Sequence, residues 1–522
     1  MRKTTVSLLL ALVVLISTGA AQAYIVASWG NSWLEEVGDG RPDQILHLNE
    51  STPYLNGYAQ GVLLSTQVAQ TVRAYLQYGL NNGFTEADGV ALWNQQAPYV
   101  LQEFKDEVQG IADGSGVPLS SVQAVHAFPS RFSCCGFAAK AGATTNGQVY
   151  QGRSLDYPTD ITDPQTGITV QENGLVTIWH RTGEAHVSWA GMCGSVGGTR
   201  VGAITVGEQT QKIGGYATYS GNNMIFQCRE AVRANSAQAA AEVFTVNPTK
   251  GYSFQTSDSA GNIRCVEVAG PQAYYIGDEN GYESFNSHFW YVPNSGAIPN
   301  VVRRTNCFIA PNTQPYQTPG EGWEAHLALF TDALDNYENA GINCETGSQA
   351  LADTYTALLG IPEWGFGVTS EHQWCINTNT GEMKLRRATR SDNAFRANGY
   401  TYWLASELAE TLPAHHIRVP MYPWGTPTTF SSSGGTVNCH ASCSCNQGHA
   451  ATYYWQAFYN GVPANDGTWT TRTSPDATWK APKNSSWTSS RYYTVRCTMS
   501  CAGGAPQVIG EFQVRVKSVL GL

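Results

Sequence analysis

The residues best suited to chemistry in this chain lie between 131 and 157. Cys134 and Cys135 stand together in Arg131-Phe132-Ser133-Cys134-Cys135-Gly136-Phe137-Ala138, and Arg153 and Asp156 follow in Gly152-Arg153-Ser154-Leu155-Asp156. The runs 137–143 and 148–152 have strand character and flank Asn146-Gly147, a dipeptide suited to tight hairpin turns. A hairpin sets the start of its first strand beside the end of its second, so Arg153 and Asp156 come near Cys134. A guanidinium beside a thiol favours the thiolate, the attacking form, and a carboxylate nearby can hold an ammonium group. Those are the parts of a cysteine nucleophile whose base is its own α-amine. The blander readings are a structural disulfide for Cys134 and a solvated ion pair for Arg153 and Asp156, contributing about 0–1 kcal/mol.

Other catalytic signatures are missing. No His-Glu-x-x-His and no Gly-x-Ser-x-Gly occurs, and Glu371-His372 and His415-His416 stand isolated. Cys439-His440-x-x-Cys443-x-Cys445 with His449 does not have a standard zinc spacing. Disulfides are the commoner use of such cysteines in an exported β module. The expectation is no cofactor and no metal.

The elements that would position these residues fall in separate runs. Residues 24–130 read as mostly helical after a short entry, with helical spacing over 61–78 and 98–112 and a further short helix from 118 to 127. After Phe132 the pattern turns to strands, including 175–180, 186–190, 200–206, 252–256 and 263–268. Helices interrupt them at 222–234 and 237–244, the second capped by Ser236. Runs of strands and runs of helices point to an α+β fold. The segment 425–436 (GTPTTFSSSGGT) has no aliphatic side chain and reads as a linker. Beyond it 437–522 is β in style, with Cys439, Trp455 and Cys497 spaced as in an immunoglobulin-like sandwich.

The whole chain sets wider bounds. Its 522 residues suit two to four domains of about 150 residues each. Hydrophobic residues at 42% exclude disorder as the main state. A net charge of −10 without a basic stripe argues against nucleic acid as a partner. Arg2 and Lys3, the apolar stretch 6–16 and Ala21-Gln22-Ala23 read as a secretory signal peptide cut after Ala23, the apolar stretch being too short to span a bilayer at about 20 residues. The expected location is secreted or extracytoplasmic. Thirteen cysteines are an odd number, so at least one thiol stays unpaired.

The nucleophile region resembles the isopenicillin N acyltransferase-like family of autoproteolytic cysteine acyltransferases and amidohydrolases, within the N-terminal-nucleophile (Ntn) hydrolases. The family's Cys-Ser-x-Phe-Ala, Ala-Thr-x-Asp-Gly and Gly-Arg-Asn-Leu-Asp are matched without a gap by Cys134-Cys135-Gly136-Phe137-Ala138, Ala143-Thr144-Thr145-Asn146-Gly147 and Gly152-Arg153-Ser154-Leu155-Asp156. That register selects Cys134 over Cys135. The helical lead-in 100–117, the Gly-rich passage 191–209 and the helix around Arg229-Glu230-Ala231-Val232 follow the family's order, and Arg303 or Arg304 stands where it has a later arginine. The resemblance covers roughly 40–420.

It departs from the family in three places. Ser133 precedes the nucleophile, where Gly or Asp is commoner, and Ser154 replaces an Asn. Phe285-Asn286-Ser287-His288-Phe289 stands where the family has Thr-Asn-His-Phe, so the oxyanion donor is Asn286, one residue displaced, or Ser287 in its place.

The resemblance implies a four-layer αββα sandwich, with a helical segment 24–133 released by cleavage between Ser133 and Cys134 and a catalytic domain 134–424. The residue patterns place the signal peptide 1–23 before it and the linker 425–436 and immunoglobulin-like β-sandwich 437–522 after it. The resemblance also implies hydrolysis or transfer of a small acyl amide or peptide-like substrate by Cys134, Arg153, Asp156 and Asn286 through a thioester. Two other readings share these features: an inactive binding or adhesion protein on the same fold, and a phospholipase B-like ester hydrolase. Aromatics of the C-terminal domain are candidates for contact with a cell surface or polymer, though core packing is their commoner use.

Overall fold

The computed structural model describes residues 24–37, 43–127, 133–277, 298–318, 323–360, 369–413, 417–446, 449–501 and 506–521. The chain divides into two compact units, one formed by 27–35 and 43–413, the other by 414–522 with short N-terminal pieces.

The larger unit is a mixed α/β body with two sheets. The longer sheet runs, in order, β1 (Tyr24–Trp29), β2 (Ser32–Glu36), β3 (Gln44–Leu48), β6 (Gly174–Trp179), β7 (Glu184–Trp189), β8 (Gly197–Arg200), β9 (Ile204–Gln211), β10 (Gly251–Asp258), β11 (Ile263–Ala269) and β12 (Tyr274–Gly277). The shorter runs β13 (Val301–Arg304), β4 (Ser133–Ala139), β5 (Tyr150–Asp156), β14 (His372–Asn377), β15 (Glu382–Arg387) and β16 (Tyr400–Trp403). Strands 24–48 thus precede the helices in a region that the sequence presents as helical after a short entry.

Polar side chains join β5 and Thr378, the residue after β14, to β9 and β10 of the longer sheet. Gln151 Nε2 donates to the Gln255 carbonyl at 2.9 Å, Ser257 Oγ donates to Gln151 Oε1 at 2.7 Å, and the Thr378 hydroxyl donates to that of Thr205 at 2.9 Å. The other face of the shorter sheet is apolar. There Phe137, Phe330, Leu334, Ile342, Leu351 and Tyr355 form one buried cluster with helices α8 (Trp323–Glu338) and α9 (Cys344–Leu358).

Among the described residues seven α-helices come before these: α1 (Pro53–Leu63), α2 (Ser65–Asn81), α3 (Glu86–Gln96), α4 (Gln102–Ser115), α5 (Leu119–Ala127), α6 (Met224–Val232) and α7 (Ala237–Val243). The periodic stretch 61–78 is two helices, broken at Leu64; the apolar stripe continues through the break, so periodicity alone does not reveal it. Helices α1 and α4 touch backbone to backbone: a Cβ on Gly110 would lie 2.1 Å from the Tyr54 carbonyl oxygen. The expected strand 200–206 is a hairpin between β8 and β9, because Gly202 takes a left-handed turn conformation (φ +72°).

The C-terminal unit is all β. One sheet has the order β17 (Ile417–Thr426), β19 (Gly435–Cys445), β23 (Asp476–Ala481), β22 (Thr468–Thr471). The other has β18 (Thr429–Phe430), β25 (Gln507–Val516), β24 (Arg491–Cys501), β20 (Ala451–Tyr459), β21 (Val462–Pro463). Cys439, Trp455, Trp479, Tyr493 and Cys497 lie in its core. The expected linker 425–436 is not a free tether. Gly425 and Thr426 pair with Cys439 and Asn438, and Phe430 pairs with Val516, so backbone hydrogen bonds hold a segment that lacks aliphatic side chains. No disulfide joins any of the thirteen cysteines, twelve of which are buried, so the expected disulfides are not formed here.

Candidate active site

Cys134 is the second residue of β4, the strand next to the edge strand β13 of the shorter sheet, and is fully buried. Strands β4 and β5 pair antiparallel, with Ser133 opposite Asp156, Cys134 opposite Leu155 and Gly136 opposite Arg153. Side chains alternate along a strand. Arg153 therefore shares the face of Cys134, and its Nη2 donates to Cys134 Sγ at 3.1 Å. The rest of the guanidinium is anchored on β9. Nε donates to the Glu208 carbonyl at 2.7 Å, and Nη2 reaches Glu208 Oε2 at 3.2 Å. Its Nη1 is buried with no hydrogen-bond partner. The other carboxylate oxygen, Glu208 Oε1, accepts from Thr210 Oγ1 at 2.7 Å.

The backbone N–H of Cys134 donates to Asn306 Oδ1 at 2.9 Å, and Asn306 Nδ2 donates to the Thr210 carbonyl at 2.7 Å. A side-chain acceptor, not a neighbouring strand, thus holds the Cys134 nitrogen.

Asp156 lies on the opposite face of β5. Its carboxyl accepts from the Tyr355 hydroxyl and, at 3.0 Å, from Ser154 Oγ, while Tyr355 also reaches Cys135 Sγ at 3.5 Å. What Asp156 offers Cys134 directly is its backbone hydrogen bond to the thiol. Cys135 belongs to the apolar cluster beneath α8 and α9.

Burial dominates the electrostatics. It pushes the Cys134 thiol well up; Arg153 opposes this, while Glu208 and Asp156 add to it. The expected preference for thiolate is therefore outweighed: one guanidinium does not compensate for the lost hydration. Burial also raises Asp156 against Tyr355 and Ser154, and Glu208 against Arg153 and Thr210.

Of the residues expected from sequence, Cys134 and Arg153 are in contact, Asp156 is adjacent through its backbone, and Ser133 opens β4. Asn286 lies outside the described residues. Of the two later arginines, Arg303 donates to Thr331 Oγ1 at 2.7 Å, and Arg304 pairs with Glu267 at 2.7 Å. Glu208 and Asn306 are additions of the structure. Glu208 gave no signal in its half-polar strand ITVGEQTQ; only the structure shows that every residue of it is buried, where a carboxylate needs a cation. Asn306 gave none either.

Glu371, set aside in the sequence as isolated, precedes β14, and its N–H donates to the Leu155 carbonyl at 2.8 Å. Burial raises it to about 7, against a hydrogen bond from Trp189 Nε1. Trp189, Tyr75, Tyr157, Met192 and Tyr252 help line a cavity of about 30 Å³.

No family model matches the chain. Among curated proteins it is similar to protein dcd1A of Dictyostelium discoideum, 28% identical over 195 residues, which is 30% of this chain and 43% of that protein. Protein dcd1B of the same organism is 28% identical over 163 residues, 25% of this chain and 31% of that protein. The chain thus spans less than half the length of either relative. Among solved structures it is similar to the Caenorhabditis elegans ortholog of N-acylethanolamine-hydrolyzing acid amidase (NAAA), with 12% identity, a TM-score of 0.33, and coverage of 52% of this chain and 99% of that one.

Proposed function

We propose that this chain is an exported Ntn hydrolase in which Cys134 is the nucleophile for an acyl amide. In this reading the two sheets with their flanking helices are the αββα sandwich, and 437–522 is an immunoglobulin-like appendage. The observation that carries it is Cys134 itself. Its thiol is in contact with Arg153, and its nitrogen is held by a side-chain oxygen at the start of β4.

The base is the α-amine of Cys134, freed when the chain cuts itself. Cys134 Sγ attacks the Ser133 carbonyl carbon, and the Ser133–Cys134 C–N bond breaks. The departing nitrogen takes the proton and becomes the α-amine. Water then hydrolyses the thioester, releasing the Ser133 carboxylate and regenerating the thiol.

Turnover repeats the chemistry on a substrate. The thiol proton passes to the α-amine as Sγ attacks the acyl carbon. The substrate amine leaves with that proton, and water or another amine takes the acyl group from the thioester. Asn306 Oδ1 orients the α-amine. Arg153 Nη1, which has no protein partner, is a donor for the substrate acyl oxygen, with Asn286 as the second.

Intact-mass measurement and N-terminal sequencing of the purified protein test this. The expected result is a species beginning at Cys134 that turns over acyl amides, with both properties abolished by Cys134→Ala. An active chain beginning near Tyr24 and lacking the cut refutes the amine-base mechanism.

Complete burial of Cys134 favours one competing reading, an inactive binding protein on the same fold. It predicts a whole chain whose Cys134 resists thiol reagents in the native state.

A further inference from the structure

Four side chains with metal-ligand chemistry converge on β2, β3 and the end of α10 (Leu404–Ala409). Glu35, His47, Glu407 and Glu410 each offer one ligand atom, and these atoms all lie within 4.8 Å of one another. His47 Nε2 stands 3.3 Å from Glu35 Oε2 and 3.9 Å from Glu407 Oε2. Ligand bonds of about 2.0–2.2 Å set neighbouring donors roughly 3.3 Å apart, so small rotations of the partly exposed Glu407 and exposed Glu410 would close the set.

The imidazole is built into place. Trp33 stacks on its ring at 4.2 Å with an 8° interplanar angle, and Trp33 Nε1 donates to Glu35 Oε2 at 3.4 Å. His47 Nδ1 faces His180 Nε2 at 3.0 Å. The other side of His180 hydrogen bonds to the backbone of Leu408. If the Leu408 carbonyl takes the His180 proton, His180 Nε2 is an acceptor and His47 Nδ1 must donate to it. The lone pair of His47 Nε2 then points at carboxylates. That nitrogen is fully buried, and the one polar atom close to it, Glu35 Oε2 at 3.3 Å, does not meet it with good hydrogen-bond geometry. A lone pair facing carboxylates is repelled unless a cation lies between them. An outer hydrogen bond that fixes the ring and its tautomer is also what ligating histidines commonly have.

We propose that Glu35, His47, Glu407 and Glu410 bind a divalent first-row metal ion, zinc or manganese, that ties α10 to β2 and β3. One imidazole and three carboxylates without a thiolate suit those ions and not a soft, sulfur-seeking one. The site shares no residue with the Cys134 centre.

The test uses the full chain, stripped with EDTA and titrated calorimetrically with MnCl₂ and, separately, ZnCl₂. One ion per chain is expected, with affinity falling about tenfold or more in Glu407→Gln and in Glu410→Gln. Glu410 is exposed, so its variant should fold, and circular dichroism checks both. Cobalt(II) titration distinguishes this site from the cysteines of the C-terminal unit: nitrogen and oxygen ligands give d–d bands without a sulfur-to-metal charge-transfer band. Failure of both ions to bind, binding unchanged in both variants, or a thiolate charge-transfer band in place of the expected spectrum would overturn the proposal.

Discussion

Glu371→Gln isolates one buried carboxyl whose ionisation should weaken the fold. Trp189 Nε1 donates to Oε1, and Oε2 is buried without a partner, so nothing in direct contact neutralises a charge there. Burial raises this group from 4.5 to about 7, and a carboxyl raised in the native state keeps its proton longer there than in the unfolded chain. Its stabilising effect is full below pH 4.5, declines as pH climbs to about 7, and stays lost above that. For those two values, linkage gives a loss of ~2.5 kcal/mol between pH 5 and pH 8. Glutamine preserves the Trp189 acceptor and cannot ionise. In a Cys134→Ala background, which prevents the proposed cut, urea unfolding at pH 5 and pH 8 should show the two proteins' stabilities diverging by that amount, with the glutamine variant gaining at pH 8. A constant stability difference across this range would refute the reasoning and mean that Glu371 is compensated in its ionised form.

Arg153→Lys should lower acyl-amide turnover by about 10²-fold or more, because a single ammonium cannot meet the Glu208 carbonyl, the Glu208 carboxylate and the Cys134 thiol together; activity within threefold of the parent, with an unchanged melting profile, would remove Arg153 from the site. Cys135→Ala should keep turnover while costing ~1 kcal/mol for the lost buried sulfur and its Tyr355 contact, measured by denaturant unfolding; loss of turnover with the fold intact would point to the wrong nucleophile. Gly110→Ala should destabilise by about 1–3 kcal/mol, since its methyl would press on the Tyr54 carbonyl of α1; a neutral effect in the same assay would mean that the two helices separate easily.

The hairpin was legible because its two strands are close in the chain. The turn itself was not: a tight turn at Asn146-Gly147 would set Gly136 opposite Tyr157, whereas β4 ends at Ala139, β5 begins at Tyr150, and the longer connection sets Gly136 opposite Arg153. The facing of Asp156 was legible too, though easily passed over: Arg153 and Asp156 are three residues apart, and an odd spacing places strand residues on opposite faces. Asn306 meets Cys134 across 172 residues and Glu208 meets Arg153 across 55, contacts that only the assembled sheets specify. The break at Leu64 and the turn at Gly202 were lost for a different reason: apolar patterning reports which face is buried and not where the backbone changes direction. In 425–436, composition suggested a tether while hydrogen bonds to β19 and β25 made strands of it.

The electrostatics of the site give the proposed cut a physical rationale. In the uncut chain the Cys134 thiol and the carboxyls of Asp156 and Glu208 are all raised by burial, and Arg153 acts against burial at each of them, joined at Glu208 by Lys250. Arg153 cannot serve as a base, because a guanidinium does not give up its proton near neutral pH. Glu208 is already bound to Arg153 and Thr210 and also feels Lys250, and Asp156 is bound to Tyr355 and Ser154. The nitrogen that the cut would release is part of Cys134 itself and already rests against Asn306 Oδ1. As an amine it can take the thiol proton, and once protonated it adds a second positive charge beside the thiolate. Cleavage thus supplies both the base and the compensating charge that the folded, uncut site lacks.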